Sequence, residues 1–163
     1  MLSGAVGSGK TTLLLQIGAL MEERDEPYAL IDLDWLAWVR PATGSERSVG
    51  QLLVENLHAV WGAYRRAGVR RLVMARHLEH PDRLAAIRGA LPDVEMLAVH
   101  LAVPVAVLEQ RLRRRDAGSE LAEHLATLAA AGETPFEDEV VDNDDSRPAR
   151  EVALEILRLA GWE

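Results

Sequence analysis

Gly4-Ala5-Val6-Gly7-Ser8-Gly9-Lys10-Thr11, near the start of this 163-residue chain, matches the full phosphate-binding P-loop pattern Gly-x-x-x-x-Gly-Lys-Ser/Thr. The glycines let the backbone wrap tightly, so that its N–H groups converge on phosphate oxygens. Apolar residues at helical spacing predict a helix from Lys10 to about Arg24, and the N-terminal end of a helix favours bound anions. We therefore expect a phosphate site formed by Gly7, Ser8, Gly9, Lys10, Thr11 and Thr12.

Two side chains of this motif carry chemistry of their own. Lys10 should reach the β- and γ-phosphates of a nucleotide, and the Thr11 hydroxyl should ligate Mg²⁺. The alternative is a glycine-rich turn that binds nothing, which is disfavoured because the motif lies between a strand and a helix, as phosphate binding requires. Only residues 1–3 precede the motif, so either the first strand is short or the numbered chain lacks native N-terminal residues.

Composition excludes several other classes of protein. Eighteen basic against 26 acidic side chains give a net charge of −8, which argues against a general nucleic-acid binder. The absence of cysteine excludes disulfides, thiolate zinc sites and cysteine nucleophiles. No apolar run approaches the ~20 residues of a membrane span, and no signal segment is apparent. We expect one cytoplasmic domain over residues 1–163 without nucleic-acid or membrane partners, and the oligomeric state stays open.

The rest of the chain alternates between strand and helix patterns. Further strands are predicted at Tyr28–Asp32, Arg71–Ala75, 95–101 and 140–142. Helices are predicted at 51–67, Pro81–Ala90, from Pro104 onward, at 120–131, and after Ser146 as a cap. This alternation predicts a three-layer α/β/α fold with a five-stranded, mainly parallel sheet.

A P-loop alone is shared by GTPases, motor ATPases and small kinases. Lys10 is the only lysine in the sequence, so an Asn/Thr-Lys-x-Asp guanine signature is impossible. The third predicted strand ends in Ala75-Arg76-His77, without a Walker-B aspartate. Both observations weaken the switch and motor interpretations.

Asp32-Leu33-Asp34-Trp35 closes the second predicted strand, at the carboxyl edge of the sheet where ligands bind. Two carboxylates at i and i+2 on a strand point to the same side. The alternative is that one of the aspartates only caps a short helix over residues 35–39.

With this acidic pair, the chain resembles the nucleoside-monophosphate-kinase-like P-loop kinases, in particular shikimate kinase, gluconate kinase and chloramphenicol phosphotransferase. The resemblance implies a nucleotide-kinase-like strand order, ATP and Mg²⁺, and transfer of the γ-phosphoryl group to a hydroxyl of a small molecule. Asp34 would contact and deprotonate this acceptor, and Asp32 would hold magnesium-bound water. An acceptor-side segment would span about 35–67 and a short lid about 111–135. The glycine-rich stretch of shikimate kinase after the third strand is missing, which leaves the acceptor open.

Arginines 111, 113, 114 and 115 crowd the end of one predicted helix. By the same resemblance, Arg111 would stack on adenine with Pro148 on the opposite face of the base. Arg114 or Arg115 would meet the transferring phosphoryl group, since a guanidinium fork suits phosphate oxygens. The alternative is a solvated basic face.

Further residues are expected on or near the acceptor side, and two rival classes of function stay open. Arg76 should face the cleft and bind an anionic acceptor or the transferred phosphoryl group. Trp35 and Trp38 could wall the acceptor pocket or pack half-buried, whereas His77 and His80 are expected at the surface. The rival classes are a regulatory P-loop ATPase without an acceptor and a nucleotide or RNA-end kinase.

Overall fold

Five parallel strands form the central layer of the computed structural model, which describes residues 1–45, 47–130 and 135–162. They are β1 (Leu2–Ser3), β2 (Tyr28–Asp32), β3 (Arg71–Ala75), β4 (Val99–Ala102) and β5 (Glu139–Asp142). Their order in the sheet is β2-β3-β1-β4-β5, and each neighbouring pair is parallel. The predicted fold class and strand order are therefore confirmed, and the P-loop leaves the carboxyl end of the central strand.

Helices cover both faces of this sheet. They are α1 (Lys10–Glu23), α2 (Leu33–Leu36), α3 (Val49–Arg66), α4 (Pro81–Ala90), α5 (Val105–Arg115), α6 (Gly118–Ala130) and α7 (Ala149–Leu159). One core lies between the sheet and α1 with α7, and a second core lies between the sheet and α3 with α4. Within the described residues, no helix is long and apolar enough to cross a membrane.

A smaller third core joins the predicted lid to the P-loop. Leu108 and Leu112 of α5 pack with Leu128 of α6, and Val6 of the loop lies against them. The lid was predicted over about 111–135, and residues 131–134 lie outside the described residues. The apolar side of the lid helices thus reaches the backbone that should bind phosphate.

Several predicted element ends differ from the structure, and hydrogen bonds or caps account for three of these differences. Strand β4 starts at Val99 rather than residue 95, because the N–H of Ala98 donates to the Asp138 carboxylate instead of a neighbouring strand. Helix α3 starts at Val49 because Ser48 forms a capping box. The prediction that Ser146 caps the last helix is wrong, since Pro148 occupies the N-cap of α7.

Candidate active site

Left-handed glycines shape the P-loop backbone. Gly4, Gly7 and Gly9 have φ angles of 131°, 82° and 90°, a region that side chains rarely adopt. A Cβ on Gly9 would lie 2.6 Å from the side-chain nitrogen of Asn143, and one on Gly4 would lie 2.9 Å from the carbonyl oxygen of Leu101. Both the backbone conformation and the space therefore require glycine here.

Lys10 is folded back on the loop that carries it. Its ammonium donates hydrogen bonds of 2.9 Å to the carbonyl oxygens of Gly4 and Ala5. Burial lowers the pKa of Lys10 from 10.5 to about 8, although the nearby carboxylates of Asp34 and Asp32 oppose this shift. The cation is thus held next to the loop's backbone with an incomplete solvent shell.

Anionic phosphates fit this loop on structural grounds. The first N–H groups of α1 have no partner inside the helix, and they point toward the loop as at any helix start. The buried Ser8 hydroxyl has no hydrogen-bond partner among the described residues. Beside them the exposed Thr11 hydroxyl and the Asp34 carboxylate border one cleft and offer the hard oxygen ligands that Mg²⁺ prefers.

This cleft has a volume of about 450 Å³, enough for part of a nucleotide. It brings together predicted residues from the P-loop, the segment after β2 and the lid, namely Gly7, Gly9, Lys10, Thr11, Thr12, Asp34, Arg111 and Arg115. The structure does not place Ser8, Asp32, Trp35, Arg76, Arg114 or Pro148 on its lining.

The two aspartates occupy different elements. Asp32 ends β2 and caps α2, because its Oδ1 accepts a hydrogen bond of 3.0 Å from the N–H of Asp34. Asp32 therefore does cap a short helix, although this helix is Leu33–Leu36 rather than 35–39, and its second oxygen takes no part in that cap. Asp34 belongs to α2, so the argument from alternation along a strand is wrong for it. Both carboxylates still act on Lys10 through space.

Asp34 combines access with a raised proton affinity. Its side chain is 60% exposed, and its Oδ1 lies 3.6 Å from Nε of Arg76. Partial burial at the edge of the cleft raises its pKa, and the neighbouring Asp32 adds to this effect while Arg76 and Lys10 oppose it. A carboxylate in this position can accept a proton from a bound hydroxyl group.

His77 lies beneath the P-loop. Its Nδ1 is 3.1 Å from the carbonyl oxygen of Gly4, which can only accept, so Nδ1 carries the proton. The surface prediction therefore holds only in part for His77, which is half-buried. His80 is exposed and caps α4.

Arg111 ties the P-loop to the loop that follows β5. Its guanidinium donates to the carbonyl oxygens of Gly7 and Asn143, at 3.1 and 2.6 Å, and to the carboxylate of Asp145 at 2.7 Å. Asn143 in turn donates to the carbonyl oxygen of Ser8 at 2.7 Å. These bonds use the edge of the guanidinium and fix its plane beside the cleft.

The other lid arginines differ in their surroundings. Arg115 forms a two-point ion pair with Asp116, at 2.6 and 2.9 Å, yet still borders the cleft. The hydrogen bond from Arg115, together with one from His124, lowers the pKa of the buried Asp116 to about 2. Arg114 is exposed outside the cleft, and Pro148 is exposed between Arg147 and Ala149, which line it.

Trp35 and Trp38 form an exposed pair. Their rings stack with centroids 4.9 Å apart, and the residues are 69% and 76% exposed. The half-buried alternative is therefore wrong. Neither ring lines the nucleotide-sized cleft in this conformation.

Sequence reasoning gave no individual role to several residues that border the site. Asn143 and Asp145 belong to the loop that follows Asp142, the last residue of β5, which was expected as a whole to wrap the adenine. Arg83 of α4 shares a second cleft with Arg76, and nothing in its sequence context indicated this.

Comparisons with known proteins identify the fold. No protein-family model and no curated protein matches the sequence. A sugar kinase from Janibacter sp. HTCC2649 aligns with 98% of this chain and 92% of its own at 22% identity and a TM-score of 0.61. The tunicamycin resistance protein of Deinococcus radiodurans aligns with 99% of this chain and 94% of its own, at 18% identity and a TM-score of 0.65. Shikimate kinase from Bacteroides thetaiotaomicron aligns with 98% of this chain and 96% of its own, at 21% identity and a TM-score of 0.59. The chain thus has, over almost its whole length, the fold of the P-loop kinases.

Proposed function

We propose that this chain is an ATP- and Mg²⁺-dependent phosphotransferase that transfers the γ-phosphoryl group to a hydroxyl of a small molecule. One observation carries the proposal: Lys10 and Asp34 border the same cleft. The first is a cation suited to phosphate, and the second is a carboxylate with a raised pKa that is suited to a hydroxyl proton.

ATP would enter with its phosphates on the P-loop. The Lys10 ammonium would exchange the carbonyl oxygens of Gly4 and Ala5 for β- and γ-phosphate oxygens, while loop amides donate to the same phosphates. Arg111 would stack on adenine with the face of its guanidinium, since its edge is already bonded, and Pro148 would approach the other face.

A bound Mg²⁺ would neutralise charge on the β- and γ-phosphates. The Thr11 hydroxyl would ligate it, and the oxygen of Asp32 that does not cap α2 would hold one of its waters. Thr11 is thus the proposed ligand of the metal and Asp32 the proposed partner of its bound water, on the strength of their oxygen chemistry and position.

In the transfer step, the acceptor oxygen forms a bond to the γ-phosphorus while the bond from that phosphorus to the β–γ bridging oxygen breaks. The hydroxyl proton passes to Asp34, and ADP is the leaving group. Lys10 and Arg114 or Arg115 would stabilise charge on the transferring group, with Arg114 reaching it only after the lid closes. Arg76 and Trp35 would position the acceptor on the far side of Asp34.

A panel of small hydroxyl compounds tests this function. With ATP and Mg²⁺ present, at least one compound should raise ADP release above basal hydrolysis and appear as a phosphorylated product by mass spectrometry. If hydrolysis is never raised by an acceptor, the regulatory ATPase becomes the better account.

Replacing the two aspartates separates their roles. Asp34→Asn should lower turnover by about 10²- to 10⁴-fold, the usual contribution of a general base, while ATP still binds. Asp32→Asn keeps a good helix cap and should mainly raise the Mg²⁺ concentration needed for half-maximal rate. Equal and mild effects of both changes on steady-state kinetics would contradict this division.

A further inference from the structure

The corner between α5 and α6 contains a buried carboxylate. Asp116 follows Arg115, the last residue of α5, and its side chain is only 3% exposed. The removal of a charged group from water is unfavourable unless ion pairs and hydrogen bonds compensate for it. Both oxygens of Asp116 have such partners, one on each helix. The carboxylate therefore joins two side chains of the lid, and their positions indicate its purpose.

Arg115 offers one edge of its guanidinium to this carboxylate. Its Nε lies 2.6 Å from Oδ1 of Asp116 and its Nη2 lies 2.9 Å from Oδ2, so the two groups meet by a pair of hydrogen bonds. Nη1 takes no part in this pair and has no other hydrogen-bond partner among the described residues. Arg115 also lines the cleft that holds the P-loop. One edge of the guanidinium is thus fixed, while Nη1 stays available to a ligand.

His124 holds the same carboxylate from α6. Its Nδ1 lies 2.7 Å from Oδ2 of Asp116, and because a carboxylate oxygen can only accept, Nδ1 carries the proton. The hydrogen bonds from Arg115 and His124 keep the pKa of Asp116 near 2, so that this group is an anion at neutral pH. The orientation of Arg115 therefore depends on residues from both lid helices.

The charge of Arg115 already acts on the P-loop. Burial is the main cause of the lowered pKa of Lys10, and the positive charge of Arg115 adds to this effect, so the guanidinium lies within electrostatic range of the ammonium. Its neighbour Arg114 is exposed and does not line the cleft. Of these two arginines, Arg115 is therefore the better placed to act on a phosphate that Lys10 binds.

We propose that Asp116 and His124 are positioning residues, which hold Arg115 so that its Nη1 meets the transferring phosphoryl group. This inference rests on the proposed function, and it selects Arg115 over Arg114 for this contact. Neither positioning residue touches the substrate. A guanidinium can bind a carboxylate with one edge and a phosphoryl oxygen with its remaining N–H groups, so that one side chain serves both partners.

A double-mutant cycle in steady-state kinetics tests this dependence. Arg115→Gln should lower kcat by about 10²- to 10³-fold, the usual cost of one lost donor to developing charge. Asp116→Asn should lower kcat by about ten- to a hundredfold through misplacement of Arg115, with the KM for ATP unchanged. In the Arg115→Gln chain, Asp116→Asn should cause no further loss, because the side chain that it positions is already absent.

Matched variants separate positioning from a general loss of structure. Glu109→Gln removes the carboxylate that pairs with Arg113 at 4.0 Å on the same helix, and it should leave kcat unchanged. His124→Asn keeps a donor near the position of Nδ1 and should retain activity, whereas His124→Leu should lower kcat, and only when Arg115 is present. The two His124 variants keep the buried carboxylate, so they test the inference even if Asp116→Asn does not fold.

The outcomes separate this inference from the proposed function. Phosphotransfer with additive losses from Asp116→Asn and Arg115→Gln, or with no loss from Asp116→Asn, would overturn the inference and leave the function intact. A gain of kcat in Asp116→Asn would also overturn it, because the carboxylate would then hold Arg115 away from the phosphoryl group. If no acceptor is ever phosphorylated but basal ATP hydrolysis shows the coupled losses, the positioning is supported and the phosphotransferase is overturned.

Discussion

The P-loop and the segment that follows β2 lie at the same edge of the sheet, but they are held in different ways. Main-chain geometry and carbonyl contacts fix the P-loop, through left-handed glycines and hydrogen bonds from Lys10, Arg111 and Asn143. The segment after β2 exposes Trp35 of α2 and Trp38 just beyond it, and their rings stack on each other. The proposed phosphate site is therefore largely fixed by the main chain, whereas the proposed acceptor side relies on side chains that remain accessible.

Removal of the Lys10 ammonium should have the largest effect on this contrast. Lys10→Met should lower kcat/KM at least about a hundredfold, since a positioned charge on the transferring group is lost. Thermal unfolding should show no loss of stability, because the ammonium is partly desolvated in the folded chain. Wild-type turnover in this variant would mean that the P-loop does not serve phosphate transfer.

Two glycines allow a matched comparison of the fixed and the open region. Gly9→Ala must place a Cβ 2.6 Å from the Asn143 side chain at a φ of 90°, whereas Gly44→Ala, at a φ of 83°, meets nothing within 4 Å. Both changes carry backbone strain of about 1 kcal/mol or more. Urea unfolding should therefore show a greater loss of unfolding free energy for Gly9→Ala than for Gly44→Ala. Only Gly9→Ala should also lose ATP affinity. Equal losses would mean that the P-loop is no more tightly packed than the acceptor-side loop.

Variants of Arg111 and Asp145 distinguish stacking on the base from the hydrogen bonds by which Arg111 joins the P-loop to the loop after β5. Arg111→Ala removes both and should raise the KM for ATP about two- to thirtyfold, the range of a lost cation–π contact. Asp145→Ala leaves Arg111 bonded to the carbonyl oxygens of Gly7 and Asn143, so its effect on KM should be smaller. If Asp145→Ala raises the KM for ATP more than Arg111→Ala does, the guanidinium holds the two loops together and does not stack on the base.

The smallest expected effect is a proton linkage at Lys10. Because its pKa is lowered from 10.5 to about 8, the folded chain binds fewer protons than the unfolded chain between these values. The unfolding free energy should therefore rise with pH across this window, and Lys10→Met should remove that part of the slope.

ATP binding should be coupled to proton uptake by Lys10. Phosphate charge raises the pKa of Lys10, so binding near pH 8.5 should take up a fraction of a proton. Calorimetry in buffers of different ionisation enthalpy measures this uptake. Uptake that persists in Lys10→Met would assign it to another group.

The sequence was sufficient for the fold because its signals are local. The P-loop pattern and the alternation of strands and helices predicted the layers, and the family resemblance implied the strand order. The apolar runs Tyr28–Asp32 and Arg71–Ala75 became strands with unchanged ends. Capping explains a difference such as the start of α3. A capping box at Ser48 starts this helix at Val49, two residues before the start that the apolar pattern predicted.

The candidate site was only partly predictable because several of its contacts join distant segments. His77 meets Gly4 across 73 residues of sequence, and Arg111 meets Gly7 across 104. Arg83 shares the second cleft with Arg76 only because α4 packs beside the start of α3. Spacing along the chain encodes none of these approaches, since tertiary packing brings the partners together.

In the proposed complex, the hydrogen bonds of Lys10 to Gly4 and Ala5 would make the loop's own carbonyl groups an intramolecular competitor of the phosphates. The nucleotide would have to displace these contacts before Lys10 could reach a phosphate oxygen. Its measured affinity would therefore be lower than that of a loop with a free ammonium, by a factor set by the equilibrium constant of the internal contact. The same carbonyl groups would give the charge a partner again once the product had left.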